Sequence, residues 1–420
     1  MRRAVITGIG VVAPGGPDRE RFWTRIVGGK PAIRPIGCFD AAAYRSRVAA
    51  ECDFTPADYG LTPREVRRTD RFVQFALAAA DEAVADSGLD FTVSDPDRAG
   101  VCLGSAVGAT IRLEDEYVVA SDHGRDWLVD HTHCLPFLHQ ALVPSSAAAE
   151  LAVRFGVHGP ASVVSTGCTS GIDALGQAFA SVQDGWADVM IAGASDAPIS
   201  PITVACFDAI RATSPRNDEP ELASRPFDAN RQGFVLGEGS AVLIVEELAH
   251  ARARGARIYC EVTGYAARAN GFHMTGLRPD GAELAEAITD ALGQARLGPD
   301  ELGYISAHGS GTKQNDRHET SAYKKALGEA ARKVPISSIK SVIGHSLGAI
   351  GSLEMAACAL AIERGVVPPT ANLTEPDPEC DLDYVPVHPR ETVVPHALSV
   401  GSGFGGFQSA MVFSAVREAA

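Results

Sequence analysis

An α/β fold follows from three features of the sequence. Short apolar, β-rich runs alternate with longer stretches of helical periodicity. Several of the short runs are continuously apolar rather than alternating, the pattern of strands covered on both faces. Glycine, at 42 of 420 residues, exceeds the usual ~7% and marks tight turns and close backbone approaches. Strand then helix, repeated along the chain, predicts a mostly parallel sheet with helices on its faces.

The first strand is expected at Ala4–Ile6. After it, Gly8-Ile9-Gly10-Val11-Val12-Ala13 matches the G-x-G-x-x-A of a dinucleotide loop. Pro14-Gly15-Gly16-Pro17 blocks the helix such a loop must open, so these glycines are expected in a turn between packed layers. Helix Arg71–Ser87 and strand Gly100–Leu103 follow, and Glu114–Leu142 reads as an insertion. His131-Thr132-His133-Cys134 within it lacks paired ligands at zinc spacing, and no metal is expected in this chain. Helix Ser145–Phe155 and strand Ser162–Val164 lead to helix Thr169–Asp184, with apolar positions Ile172, Leu175, Phe179 and Val182. Strands Val189–Ala192, Ala241–Val245 and Ile258–Thr263 come next, then helix Ala282–Gln294 and strand Tyr304–Ser306. Helix Gly348–Arg364, with Ile350, Leu353, Ala357 and Leu360, and strand Met411–Ser414 complete the series.

Val163–Gly171 and Ser341–Gly348 share a plan: a β-rich run, a tight turn of small residues bearing one reactive side chain, then a helix. Duplication of a half-domain accounts for this. It divides the chain into residues 1–250, carrying Cys168, and 251–420, carrying His308 and His345.

Composition narrows the function. With 45% hydrophobic and 21% charged residues the chain can bury a core without disulfide or metal staples. A formal net charge of −15 repels phosphate, which excludes general binding to nucleic acid or anionic lipid. No apolar run approaches the roughly 18 residues a membrane helix needs. The nine cysteines are scattered singly and the N-terminus turns polar too soon for a signal-peptide core, so a cytoplasmic location is expected.

Two nucleophiles compete for the chemistry. Gly344-His345-Ser346-Leu347-Gly348 matches the G-x-S-x-G elbow of serine hydrolases, but the short, proline-rich remainder leaves little room for the strands and acid that follow in that fold. Cys168 stands at the first turn of a helix beside Gly167, where unpaired N–H groups and the helix dipole favour thiolate over thiol. His308, in Ser306-Ala307-His308-Gly309-Ser310-Gly311-Thr312, and His345 each end a β-rich run at a glycine turn, where parallel sheets build their sites. Gly401-Ser402-Gly403-Phe404-Gly405-Gly406-Phe407 is a further glycine turn that can supply a backbone N–H to an oxyanion.

These strings resemble a thiolase-fold β-ketoacyl synthase over essentially the whole chain, from Ala4-Val5-Ile6-Thr7-Gly8-Ile9-Gly10 to Gly401–Gly406. More narrowly they resemble the ketosynthase alpha subunit of bacterial type II (aromatic) polyketide synthases, through Val164-Ser165-Thr166-Gly167-Cys168-Thr169-Ser170-Gly171 and His308–Thr320. The resemblance implies two βαβαβ-type halves in a layered α/β/α/β/α core. It implies a Cys168–His308–His345 site, with the site lysine at Lys340 bonding in a network that includes Glu319. Backbone N–H groups of Cys168 and Phe404 would form the oxyanion hole, Phe404 would gate the cysteine, and Ser310 and Thr312 would meet a pantetheine arm. The implied reaction is decarboxylative Claisen condensation of malonyl-acyl carrier protein with an acyl chain on Cys168. No cofactor is expected; substrates arrive on the phosphopantetheine arm of an acyl carrier protein. The implied partner is a chain-length-factor (beta) subunit with glutamine in place of the cysteine, giving an αβ heterodimer. Carrier docking on an acidic protein needs local basic residues, for which Arg211 (with Arg216) and the cluster Arg64, Arg67, Arg68 and Arg71 are candidates. A fatty-acid or polyene synthase shares the chemistry; a degradative thiolase would need a second reactive cysteine near Phe404, which is absent.

Overall fold

Ten strands form one continuous sheet in the computed structural model, which describes residues 2–92, 94–126 and 128–416. In chain order they are β1 (Ala4–Val12), β2 (Ala99–Gly104), β3 (Ala161–Val164), β4 (Val189–Asp196), β5 (Gly239–Glu247), β6 (Cys260–Ala269), β7 (Tyr304–Ser306), β8 (Ile336–Ser337), β9 (His396–Gly403) and β10 (Phe407–Ser414). Six helices matter for the site: α1 (Arg71–Ser87), α2 (Ser146–Phe155), α3 (Ser170–Gln183), α4 (Ala282–Ala295), α5 (Lys313–Leu327) and α6 (Ile350–Arg364).

Strand order splits into two ladders of identical plan, β1-β5-β4-β2-β3 and β6-β10-β9-β7-β8. In each, the first strand pairs antiparallel with the fifth and the fifth antiparallel with the fourth. The second strand lies parallel between the fourth and the third. Antiparallel pairing of Ala4–Ile6 with Cys260–Val262 joins the ladders. The sheet is thus mixed, which corrects the expectation of a mostly parallel one. One cause is visible at β9 and β10: only Phe404-Gly405-Gly406 separates them, far too few residues for the crossover that parallel neighbours require. Gly401–Gly403, expected in the turn, is the end of β9.

Burial on both sheet faces explains the unbroken apolar runs. In β5, Ala241, Leu243 and Val245 enter a central core with α3 and α6, while Val242 and Ile244 pack outward against α1. Likewise Met411 and Phe413 of β10 face the central core, and Ala410 and Val412 face α4. Helices α1 and α2 cover one ladder, α4 and α5 cover the other, and α3 packs on α6 between them, giving five layers.

Gly8 and Gly10 are not in a turn: β1 continues through them, with a shift in its register against β5 between Ile6 and Gly8. A Cβ at Gly10 would lie 1.9 Å from the Ala79 carbonyl oxygen, so the missing side chain lets α1 lie directly on the strand. The Glu114–Leu142 segment folds as part of a helix (Thr110–Ala120), a short turn at His131–His133 and a helix (Leu138–Leu142), with Tyr117, Val119, Leu128 and Leu142 exposed; its Trp127 lies outside the described residues. Among the described residues there is no group of three or more His, Cys, Asp or Glu side chains arranged to hold a metal, and no helix long and apolar enough to cross a membrane.

Candidate active site

The two similar segments occupy the same place in their ladders, between the third strand and the central helix. Gly167 and Leu347 each open a 3₁₀ turn in left-handed conformation, at φ +60° and +51°, and α3 and α6 begin directly after these turns. On that correspondence Cys168 matches Gly348, and His345 precedes its turn as Ser165 precedes the other. The reactive side chains therefore come from neighbouring rather than equivalent positions, which lets them converge. At Gly167 a Cβ would sit 3.2 Å from the Phe404 carbonyl oxygen as well as being strained, so the cysteine turn presses against the Phe404 loop.

Cys168, His308 and His345 line a single cavity of about 540 Å³, together with Phe404, Arg211, Ser310 and Thr312. The two imidazoles meet edge to face with centroids 5.3 Å apart. Backbone N–H of Leu347 donates to His345 Nδ1 at 3.2 Å, so the neutral ring carries its proton on Nε2. Burial holds both histidines well below the usual imidazole range, and the nearby Lys340 charge pushes them further down. They are neutral N–H donors at neutral pH.

Anchoring is strongest at His308. Glu319 accepts from the backbone N–H of His308 at 2.6 Å and of Gly309 at 2.7 Å, and from the Tyr323 hydroxyl at 2.6 Å. Burial raises the Glu319 carboxyl to about 7. Lys340 does not bond Glu319 as expected; its Nζ donates to the His308 carbonyl and to Glu354, an ion pair with 1% exposure on either side. The physical reason is position: Glu319 is already engaged by two main-chain N–H groups, the Tyr323 hydroxyl and the Asn315 amide, whereas Glu354 projects from α6 into the same buried layer.

Cys168 corrects the expected thiolate. Burial pushes its thiol up to about 11, against the pull of Lys340 and a backbone N–H from Phe404. Enclosing an anion in the cavity wall costs more than these groups and the helix end return, so the resting sulfur is a thiol. The turn around it is locked by Asp173, which accepts from Thr166, Thr169, Tyr265 and Ser409 hydroxyls and so ties α3 to the opposite ladder.

The remaining predicted residues divide by location. Ser310 and Thr312 hydroxyls lie 3.1 Å apart in the cavity wall, and Thr312 caps α5 by accepting from Asn315 N–H. Arg211 lines the cavity mouth, follows the helix Pro201–Ala209 in left-handed conformation, and makes no ion pair among the described residues. Arg67 and Arg68, on the helix Pro63–Arg68, lie apart from the cavity, and Arg68 is engaged by Glu150. Arg71 is held by Glu238. Ser346 Oγ is buried with no hydrogen-bond partner among the described residues, so it has neither the base nor the acid a hydrolase serine needs.

Five supporting residues escape sequence reasoning: Asp173, Asp196, Arg231, Asp316 and Glu354. Asp196 accepts from Ser105 Oγ and from the N–H groups of Ala106, Val107 and Gly348, fixing the start of α6. Arg231, fully buried, pairs with Asp316 at 3.1 Å and Asp377 at 2.7 Å and donates to the Thr312 and Lys313 carbonyls. Glu354 had a signal: it is the one charge in Ile350–Ile362, an otherwise apolar and small-residue helix. Apolar spacing does not reveal helix α5, because its buried face is largely polar (Asn315, Asp316, Glu319).

A partly buried thiol in one cavity with two buried, neutral imidazoles, between the matching ladders of a five-layer α/β fold, defines a condensing acyltransferase. Two family descriptions match the chain: Beta-ketoacyl synthase, N-terminal domain, over residues 1–251, and Beta-ketoacyl synthase, C-terminal domain, over residues 259–374. The tetracenomycin polyketide synthase ketoacyl synthase alpha subunit of Streptomyces glaucescens is 61% identical over 417 residues, covering 99% of this chain and 98% of that protein. A type II ketosynthase solved in complex with its acyl-carrier protein and bound to the hexaketide superposes with a TM-score of 0.93 at 38% identity, covering 99% of this chain and 100% of that one. The ishigamide ketosynthase/chain length factor gives a TM-score of 0.91 at 32% identity, with the same coverage. The chain belongs to the beta-ketoacyl synthase family and is a condensing enzyme of polyketide chain extension.

Proposed function

We propose that this chain is the alpha, condensing subunit of a type II polyketide synthase, with Cys168 as nucleophile and His308 and His345 as donors to the enolate. The observation that carries the assignment of roles is the shared cavity in which one thiol faces two uncharged imidazoles. An acyl thioester on a carrier arm passes its acyl group to Cys168 sulfur; the arm's sulfur leaves and takes up the proton the thiol gives up. Covalent capture frees the cavity for a second carrier. Malonyl thioester then loses its carboxylate as carbon dioxide. The bonding pair moves onto the thioester oxygen, where neutral N–H donors stabilise the enolate without holding the carboxylate in place as a fixed cation would. The enolate carbon attacks the Cys168 thioester, the new oxyanion is held by the N–H groups of Cys168 and Phe404, and the C–S bond breaks. The chain grows by two carbons and the sulfur is reprotonated.

Ser310 and Thr312 are read as contacts for the pantetheine arm, Lys340 and Glu319 as groups that hold His308, and Phe404 as the aromatic at the cavity mouth. Arg211, without an ion pair among the described residues and lining the cavity, is read as the stronger carrier-docking residue; Arg67 and Arg68, apart from the cavity, are read as contacts for the body of the carrier rather than its arm. A chain-length-factor subunit and an acyl carrier protein are the partners this reading requires, supported by the ketosynthase/chain length factor and carrier-complex relatives. Residues 1–250 and 251–420 are read as two copies of one ancestral unit, supported by their matching ladders. A reducing cytoplasm suits the nine cysteines, all unpaired. The test is reconstitution with the partner subunit and malonyl-carrier protein: Cys168→Ala loses condensation while retaining decarboxylation of malonyl-carrier protein.

A further inference from the structure

His318 stands inside the His308–Thr320 motif, yet none of the roles above uses it. It lies on α5 with 1% exposure. Its Nδ1 is 2.6 Å from the Arg278 carbonyl oxygen. A carbonyl only accepts, so Nδ1 must carry the proton and donate. Its Nε2 is buried with no hydrogen-bond partner among the described residues. The ring is therefore held by a single directed contact, and that contact reaches the loop 270–281.

This loop forms part of the cavity mouth through Thr275 and Leu277. It is fastened at two ends. On one side, Asn270 N–H donates to the Gly406 carbonyl at 2.8 Å and Gly405 N–H to the Met274 carbonyl at 2.6 Å, joining it to the Phe404 turn. On the other, successive turns of α5 reach it: Gln314 Nε2 donates to the Leu277 carbonyl at 3.2 Å, His318 to Arg278, and Lys325 lies 3.5 Å from Asp280. Gln314 and Lys325 contacts are solvent-exposed and contribute little. His318 is the buried member, and α5 also carries Glu319, which fixes the His308 turn.

We propose that His318 is a positioning residue for the carrier's pantetheine arm: by bonding the Arg278 carbonyl it holds Thr275–Arg278 as one wall of the cavity mouth, in register with His308. This rests on the condensing-enzyme reading. Asn is the conservative replacement, since its Nδ2 occupies nearly the place of imidazole Nδ1 and can donate to the same carbonyl.

The experiment compares the wild type with His318→Ala and His318→Asn, each assembled with its partner subunit. Three readouts are KM and kcat for malonyl-carrier protein, alkylation of Cys168 by iodoacetamide, and the rate of chymotryptic cleavage after Phe272, which is exposed on the loop. Expected for the Ala variant is a KM raised about tenfold with kcat within about twofold, the pattern of lost binding rather than lost chemistry. Alkylation stays unchanged, because iodoacetamide needs no arm, and cleavage accelerates. The Asn variant restores both KM and protease resistance. An unchanged KM in the Ala variant, or faster cleavage with no change in KM, overturns the proposal. So does an equal loss of kcat and alkylation, which would mark a general packing defect. If the wild type itself condenses no malonyl-carrier protein, the condensing reading fails, and the cleavage rates alone decide whether His318 holds the loop.

Discussion

The resting sulfur of Cys168 is a protonated thiol, and this has a direct kinetic consequence. A thiol raised to about 11 leaves very little thiolate at pH 7, and the thiolate is the form that alkylates. The pseudo-first-order rate of iodoacetamide labelling should therefore rise by roughly tenfold per pH unit from 7 towards 10 without a plateau. A plateau near pH 7 would indicate a thiolate stabilised by the helix end instead. The histidines shift the other way: held well below 6.5 by burial and the Lys340 charge, they are uncharged at neutral pH, so decarboxylation should not fall as pH rises from 6 to 8. Removing either ring, in His308→Ala or His345→Ala, should slow decarboxylation of malonyl-carrier protein by about two orders of magnitude, the cost of one enolate donor at about 3 kcal/mol. Cys168→Gln should abolish acylation while leaving the fold intact. Cysteine and histidines are legible in the sequence because each stands in a short glycine-framed string. The charge state of the sulfur is not, since it depends on how deeply the turn is buried against Phe404, from the other half of the chain.

Helices and strands were legible where one face pattern governs them. Helix α1 matches its expected bounds, and α3, α4 and α6 differ by a residue or two, because apolar spacing alone specifies them. Helix α5 is hidden by its polar buried face, and the continuation of β1 from Ile6 to Val12 by glycines that resemble a turn but serve a helix contact. Gly10→Ala tests that contact: with Ala79 carbonyl oxygen 1.9 Å from the added Cβ, α1 must shift, and urea unfolding should show a loss of about 1–3 kcal/mol. The buried pair Lys340–Glu354 is a second test at this scale. Glu354→Ala leaves a lysine charge without its carboxylate and should destabilise by about 3–5 kcal/mol, whereas replacing both partners by Met and Leu should recover most of that loss. Single and double variants that unfold alike would show that the pair's charge is not what the helix depends on.

The site draws on both of the matching ladders. The cysteine turn comes from one ladder and the imidazoles from the other, and α3 packed on α6 brings them together. A net charge of −15 repels any anionic partner at long range, and Arg211 is the cation at the cavity whose local field would offset that repulsion. Arg211→Ala should raise KM for malonyl-carrier protein at low salt while iodoacetamide labelling of Cys168 stays the same; an unaltered KM removes Arg211 from docking. The proposed mechanism depends on acyl groups being carried on the Cys168 sulfur. Peptide mass spectrometry after incubation with acyl-loaded carrier protein tests it most directly. The expected result is the acyl mass on the peptide containing Cys168 and its disappearance in Cys168→Ala. Acyl mass on Ser346, or a Cys168→Ala protein that still condenses, would contradict it.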